Sequence, residues 1–233
     1  ILSIFTLVND IVQCGVWIKF RFFTAVDTEP HSGMTRVQFF NQVGMVLATL
    51  WTGALIYGVT RGKYRFRTEH IPLSLSNLPA AFDKIRIVQI SDMHLGSFNG
   101  DVDHVAPGFE MIQSLNPDII FFTGDLVNDR YIEAAEFAET FKKIKAPMGV
   151  YSILGNHDYG DYVKWESDAA KKQNLQALIN HHKEMGWDIL LDEHRVLENN
   201  GDKISLIGVQ NWSTHLRFPK YGSMKKATKD IQY

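Results

Sequence analysis

Three short apolar runs, at 85–90, 119–122 and 150–154, recur about thirty residues apart, roughly the length of one strand-helix-strand unit. That spacing leaves room for a helix between successive runs, so the strands they form are expected to lie parallel. Each run closes on polar residues: Asp92-Met93-His94, then Gly124-Asp125, then Gly155-Asn156-His157-Asp158. In open α/β sheets ligands gather beyond the carboxyl ends of the strands, and all three blocks fall at such ends. Side chains from distant sequence are therefore predicted to converge on one site.

The first run, 85–90, is short and β-rich, and residues i and i+2 of an extended chain project to the same side. Asp92 and His94 are thus expected to face one ion. The second run, Ile119-Ile120-Phe121-Phe122, is apolar without alternation, as in a strand buried on both faces. Gly124 then lets the backbone turn, and Asp125 emerges at the strand end.

The residue types suggest two cations rather than one structural zinc. Structural zinc usually takes cysteine-rich tetrahedral ligation, and the single cysteine, Cys14, lies far away in an apolar stretch. In this reading Asp92 and His94 hold one cation, Asp125 bridges both, and the amide oxygen of Asn156 ligates the second. Two cations about 3.5–4 Å apart clamp a phosphoryl group and make a nucleophile of water at neutral pH. His157 is then assigned to stabilising the transferring phosphoryl group or protonating the leaving oxygen, with Asp158 orienting its ring.

At these residues the chain resembles the calcineurin-like metallophosphoesterase family, whose signature runs D-x-H, G-D, G-N-H-D/E, a later His and a final G-H-x-H. The first three motifs occur in order as Asp92-Met93-His94, Gly124-Asp125 and Gly155-Asn156-His157-Asp158. The resemblance runs from about residue 82 to the C-terminus and is strongest to the membrane-anchored bacterial branch related to lipid-precursor pyrophosphatases. It implies an α/β layered sandwich of two mixed β-sheets flanked by helices. It also implies two divalent metal ions, with Mn, Fe or Zn favoured, and a phosphate-ester substrate. After Asp158 the described signature would need further histidines; His181, His182, His194 and His215 are present, but no G-H-x-H precedes Tyr233. Residues 82–233 are accordingly read as an incomplete phosphoesterase domain, poorly active by itself.

Composition agrees with a folded chain: 45% hydrophobic and 21% charged residues, with a net charge of -2. That charge gives no basis for a nucleic-acid face. Between Arg36 and Arg61 there is no charged side chain, and a transmembrane helix is expected at about 38–60. A second apolar stretch, 1–23, is interrupted by Asn9 and Asp10 and is read as the remnant of an earlier span. Residues 1–67 then form a membrane-anchoring segment, and 68–81 a connector with a short edge strand at 71–75. Arg61, Lys63, Arg65 and Arg67 follow the span, which favours the cytoplasmic face of the cell membrane for the catalytic part. Thr35-Arg36-Val37-Gln38 is similar to a twin-arginine export signal but carries Val37 where the second arginine belongs, which leaves the extracytoplasmic face as the alternative.

Helices are predicted at 104–115, 131–144 and 167–185, and later strands at 187–191, 195–197 and 203–209, with a hairpin turn at 199–202. Glu133, Glu136 and Glu139 are expected to be solvated. His181 and His182, adjacent and thus about 100° apart on a helix, read as surface residues rather than a metal pair. His104 reads as a polar residue near a helix start, His194 as a solvated turn residue and His215 as part of a surface loop. Arg130 reads as a capping or surface residue, with phosphate contact as the alternative. The functional expectation is a membrane-anchored, metal-dependent phosphoesterase acting on a monoester, diester or pyrophosphate, with a lipid-linked precursor favoured. A non-catalytic binding module of the same fold and a nucleic-acid phosphodiesterase are the competing readings.

Overall fold

The structure, a computed structural model, describes Gly15, Ile18, 34–213 and 219–231. It divides into two compact units, 1–65 and 66–233. Apart from Gly15 and Ile18, the expected earlier span at 1–23 lies outside the described residues, as does His215.

In the first unit, helix α1 (Arg36–Thr60) begins at a full capping box. The Thr35 hydroxyl accepts the Gln38 N–H at 3.2 Å, and the Gln38 side chain accepts the Thr35 N–H at 3.0 Å. Its 25 residues span about 38 Å at ~1.5 Å per residue, more than the ~30 Å of a bilayer core. None of its side chains is buried. Among the described residues it is the one helix long and apolar enough to cross a membrane.

The second unit opens without the expected edge strand: 66–75 has no regular structure, and Ile71, Leu73 and Leu75 stand exposed. Alternation alone does not hold a strand; a paired neighbour does. The following residues are fixed through side chains instead, with the Ala81 N–H donating to Asp202 at 3.0 Å.

Strands β1 (Ile87–Ile90), β2 (Ile119–Phe122), β3 (Val150–Ser152) and β4 (Asp188–Ile189) form one parallel sheet in sequence order. Right-handed crossovers that always step the same way place their helices on one face. Those connections hold α2 (Val102–Ser114), α3 (Ile132–Ala135), α4 (Ala138–Phe141) and α5 (Asp168–Glu184). The other face is left for the antiparallel hairpin of β5 (Glu193–Asn199) and β6 (Asp202–Gly208). Its Asn200-Gly201 turn has both residues at positive φ, 47° and 89°, the two-residue geometry that suits a hairpin. A last short helix, α6, spans Met224–Ala227.

Strand alternation divides the core. Ile119, Phe121 and Tyr151 face the hairpin, where Phe82, Leu197, Ile204 and Leu206 pack on them. Phe122 faces the helices, with its ring 5.4 Å from Trp187, which in turn sits 5.3 Å from Phe141. The architecture is thus helices, parallel sheet and antiparallel hairpin in layers, an α/β fold.

Three local expectations change. The 131–144 helix breaks into α3 and α4, and Glu133 is not solvated but turns back to accept the N–H groups of Asn128, Asp129 and Arg130 at 2.6, 3.3 and 2.9 Å. His181 and His182 are buried, 4% and 0% exposed. The end of α5 lies against the sheet, so His182 Nδ1 meets the Ser152 hydroxyl at 3.0 Å and its ring packs on Trp187, while His181 packs on Tyr131. Burial pushes the pKa of both down, that of His182 to about 3. His194 lies on β5 rather than in a turn, half-buried, with Nδ1 3.1 Å from the Ala227 carbonyl.

Candidate metal centre

All three polar blocks sit beyond the carboxyl ends of β1, β2 and β3, and the parallel pairing brings those ends side by side. Backbone bonds then zip the first loop to the second: Asp92 N–H to the Gly124 carbonyl at 3.0 Å, His94 N–H to that of Asp125 at 3.1 Å, and Leu95 N–H to that of Leu126 at 3.0 Å. The loops bend through left-handed residues, with φ of 53° at Asp92, 45° at His94 and 57° at Asp125. Non-glycine residues rarely adopt that region, and such strain concentrates at functional sites. Asp92 and His94 therefore meet through a left-handed turn past the end of β1, not through strand alternation.

His94 Nε2 lies 4.0 Å from an Asp92 oxygen and 4.0 Å from an Asp125 oxygen. Ligand atoms of His94, Asp125 and His157 all fall within 4.8 Å of one another. The imidazole rings of His94 and His157 meet edge to face, 4.7 Å apart at 88°. The Asp92 side chain is the open wall of the group, 68% exposed, whereas that of Asp125 is 11% exposed. Two imidazoles with carboxylate oxygens are a donor set suited to divalent transition metals, so these residues fit the expected cations.

His157 Nδ1 is 2.8 Å from the Asn128 carbonyl. A carbonyl only accepts, so Nδ1 carries the hydrogen and Nε2 is left with its lone pair or a second proton. The ring is therefore oriented by Asn128, not by Asp158 as the sequence suggested. Asp158 is fully buried, and its carboxylate holds the loops: it accepts from Asp125 N at 2.9 Å, Leu126 N at 2.8 Å, Val127 N at 3.3 Å and Gly155 N at 2.9 Å. Burial pushes its pKa up to about 7, while the backbone donors pull it down. Asn156 donates its amide N–H to the Tyr162 hydroxyl at 2.8 Å.

The guanidinium of Arg130 lies over the Trp165 ring at 4.6 Å. His104 pairs with Asp101, the N-cap of α2, at 2.8 Å. Two contributors escaped the sequence reading. Glu133 gave only a weak signal, an acid in the first turn of a helix. Tyr162 gave none, since its contact with Asn156 depends on how the loop after His157 returns.

The profile of the calcineurin-like phosphoesterase family matches residues 85–228. A transmembrane protein with metallophosphoesterase domain from Danio rerio is 28% identical over 181 residues, 76% of this chain and 39% of that protein. The UDP-2,3-diacylglucosamine pyrophosphatase LpxG of Chlamydia trachomatis is 43% identical over 108 residues, 45% of this chain and 32% of that protein. The uncharacterized metallophosphoesterase YkuE of Bacillus subtilis is 33% identical over 137 residues, 55% of this chain and 46% of that protein. The chain thus spans less than half the length of each of these relatives.

Proposed function

Because the chain belongs to the calcineurin-like phosphoesterase family, we propose that it is a membrane-anchored metallophosphoesterase that hydrolyses a phosphomonoester, phosphodiester or pyrophosphate bond. The observation that carries this reading is the convergence of His94, Asp125 and His157 within 4.8 Å at the carboxyl end of the parallel sheet. Asp92 and His94 would hold one divalent cation, Asn156 a second, and Asp125, with two oxygens, would serve both. Cations bound there would supply charge neutralisation at phosphorus and a hydroxide nucleophile at neutral pH.

The chain's own residues supply the rest. His157, with Nδ1 spent on Asn128, presents Nε2 to the substrate, where its proton stabilises charge on the phosphoryl group or passes to the leaving oxygen. Asp158 acts through the backbone, keeping Asp125 and Asn156 in register. A second reading makes His157 a ligand, which its closeness to His94 and Asp125 favours. Metal analysis of His157→Ala separates the two, since only a ligand carries metal away with it.

Residues 1–67 are proposed as the membrane anchor, with α1 as its span, 68–81 as the connector and the catalytic part on the cytoplasmic face beside Arg61, Lys63, Arg65 and Arg67. A lipid-linked substrate is supported by α1 and by the diacylglucosamine pyrophosphatase among the relatives. The deciding experiment is hydrolysis of a chromogenic phosphodiester with added Mn²⁺ by the chain and by Asp125→Ala. Slow, Mn²⁺-dependent turnover that Asp125→Ala abolishes is expected; equal turnover by both proteins overturns the assignment.

A further inference from the structure

The Tyr162 side chain, outside the three polar blocks, touches two of the candidate site residues at once. Its hydroxyl accepts the Asn156 amide N–H at 2.8 Å, and its ring lies 4.5 Å from the ring of His157, tilted by 37°. At 46% exposed it contributes little to the core, so packing does not explain its placement. The loop that carries it is pinned on both sides. Gly160 turns through φ 64°, and its carbonyl accepts the Trp165 indole N–H at 2.7 Å. Asp161 pairs with Lys171 and accepts the Tyr221 hydroxyl at 2.7 Å. Tyr162 therefore meets Asn156 from a fixed position.

An amide has two unlike ends: its oxygen can ligate a cation, and its nitrogen cannot. A hydroxyl that takes the nitrogen end leaves the oxygen end for the metal. We infer that Tyr162 is a positioning residue for the metal centre, holding Asn156 by its amide nitrogen so that the amide oxygen faces the second cation. This rests on the metal reading of the site given above. Partners of this kind, one bond removed from the metal, set ligand orientation, and their loss typically lowers metal affinity about 10- to 100-fold.

The test is calorimetric titration of Mn²⁺ into the whole chain, comparing wild type, Tyr162→Phe, Asn156→Ala and the double variant. Phenylalanine keeps the ring on His157 and removes only the hydroxyl. The expected result is binding about tenfold weaker in Tyr162→Phe, with an unchanged thermal midpoint and no further loss when the substitution is added to Asn156→Ala. In the metal-free protein the Asn156 side-chain amide resonances should also shift in Tyr162→Phe. Wild-type Mn²⁺ affinity in Tyr162→Phe, or an undiminished loss in the Asn156→Ala background, overturns the inference and leaves the metal centre standing. A wild-type chain that takes up no Mn²⁺ overturns the metal reading, and the inference with it.

Discussion

Asp158 accepts the backbone N–H of Asp125 at 2.9 Å, and Asp125 in turn accepts that of His157, the neighbour of Asp158, at 2.8 Å. Each loop thus holds the other through a carboxylate, and the carboxylate of Asp125 is positioned by one that never reaches the site. With two donors on each oxygen, Asp158 has no room for an N–H of its own. Asp158→Ala strands four N–H groups, three of them buried, and should cost about 3 kcal/mol or more. Asp158→Asn keeps the shape but turns an NH₂ group against two donors, so it should lose nearly as much. Urea unfolding measures both; an asparagine variant within about 1 kcal/mol of wild type would show that the carboxylate is not required.

The same two loops approach too closely for a side chain at Gly155. A Cβ there would stand 2.3 Å from an Asp125 carboxylate oxygen and 2.6 Å from the Asp125 nitrogen. Neither atom can give way without moving the candidate bridging ligand, so Gly155→Ala should cost about 1–3 kcal/mol and reduce Mn²⁺ uptake together with turnover. Full metal content at normal affinity in a folded Gly155→Ala protein would contradict this coupling.

What the sequence disclosed follows from this layout. Strand runs, their parallel order and the polar blocks at their ends are local patterns, and they were legible because each is written in consecutive residues. The Asn200-Gly201 turn was legible for the same reason. Burial of His181 and His182 was not, because a helix made mostly of polar residues can still press its last turn against a sheet, and only Ser152 and Trp187 reveal that it does. The role of Asp158 is not legible because its motif neighbour His157 is adjacent in sequence, whereas its partners Asp125, Leu126 and Val127 belong to the loop after β2. The alternating Ile71, Leu73 and Leu75 wrote a strand pattern with no paired neighbour among the described residues.

Cation binding should be visible as stability. A ligand that binds only the folded protein raises its stability by RT ln(1 + [L]/Kd), about 2.7 kcal/mol at a hundredfold excess over Kd. Mn²⁺ should therefore raise the unfolding midpoint of the wild-type chain, and EDTA should reverse it. His94→Ala should shrink the rise. An equal rise in His94→Ala would place the ion elsewhere.

Burial of His182 makes a pH prediction. Its folded-state pKa lies near 3, below the unfolded value of 6.5, so the unfolded chain binds the extra proton first as pH falls. Stability is complete above about pH 6.5 and drains away between there and pH 3, at up to about 1.4 kcal/mol per pH unit for this group. His181 is shifted the same way by burial and steepens the loss. Burial of Asp158, whose pKa is pushed up to about 7, pulls stability the other way over the same range, so urea unfolding followed by tryptophan fluorescence, with Trp187 against the His182 ring at 5.6 Å, is read from pH 7 to pH 5 as the difference between wild type and His182→Gln. His182→Gln preserves a partner for the Ser152 hydroxyl and cannot take up a proton in this range, so its midpoint should fall less over the same interval even if it starts lower. Parallel curves for the two proteins would mean that the acid sensitivity of the fold arises elsewhere.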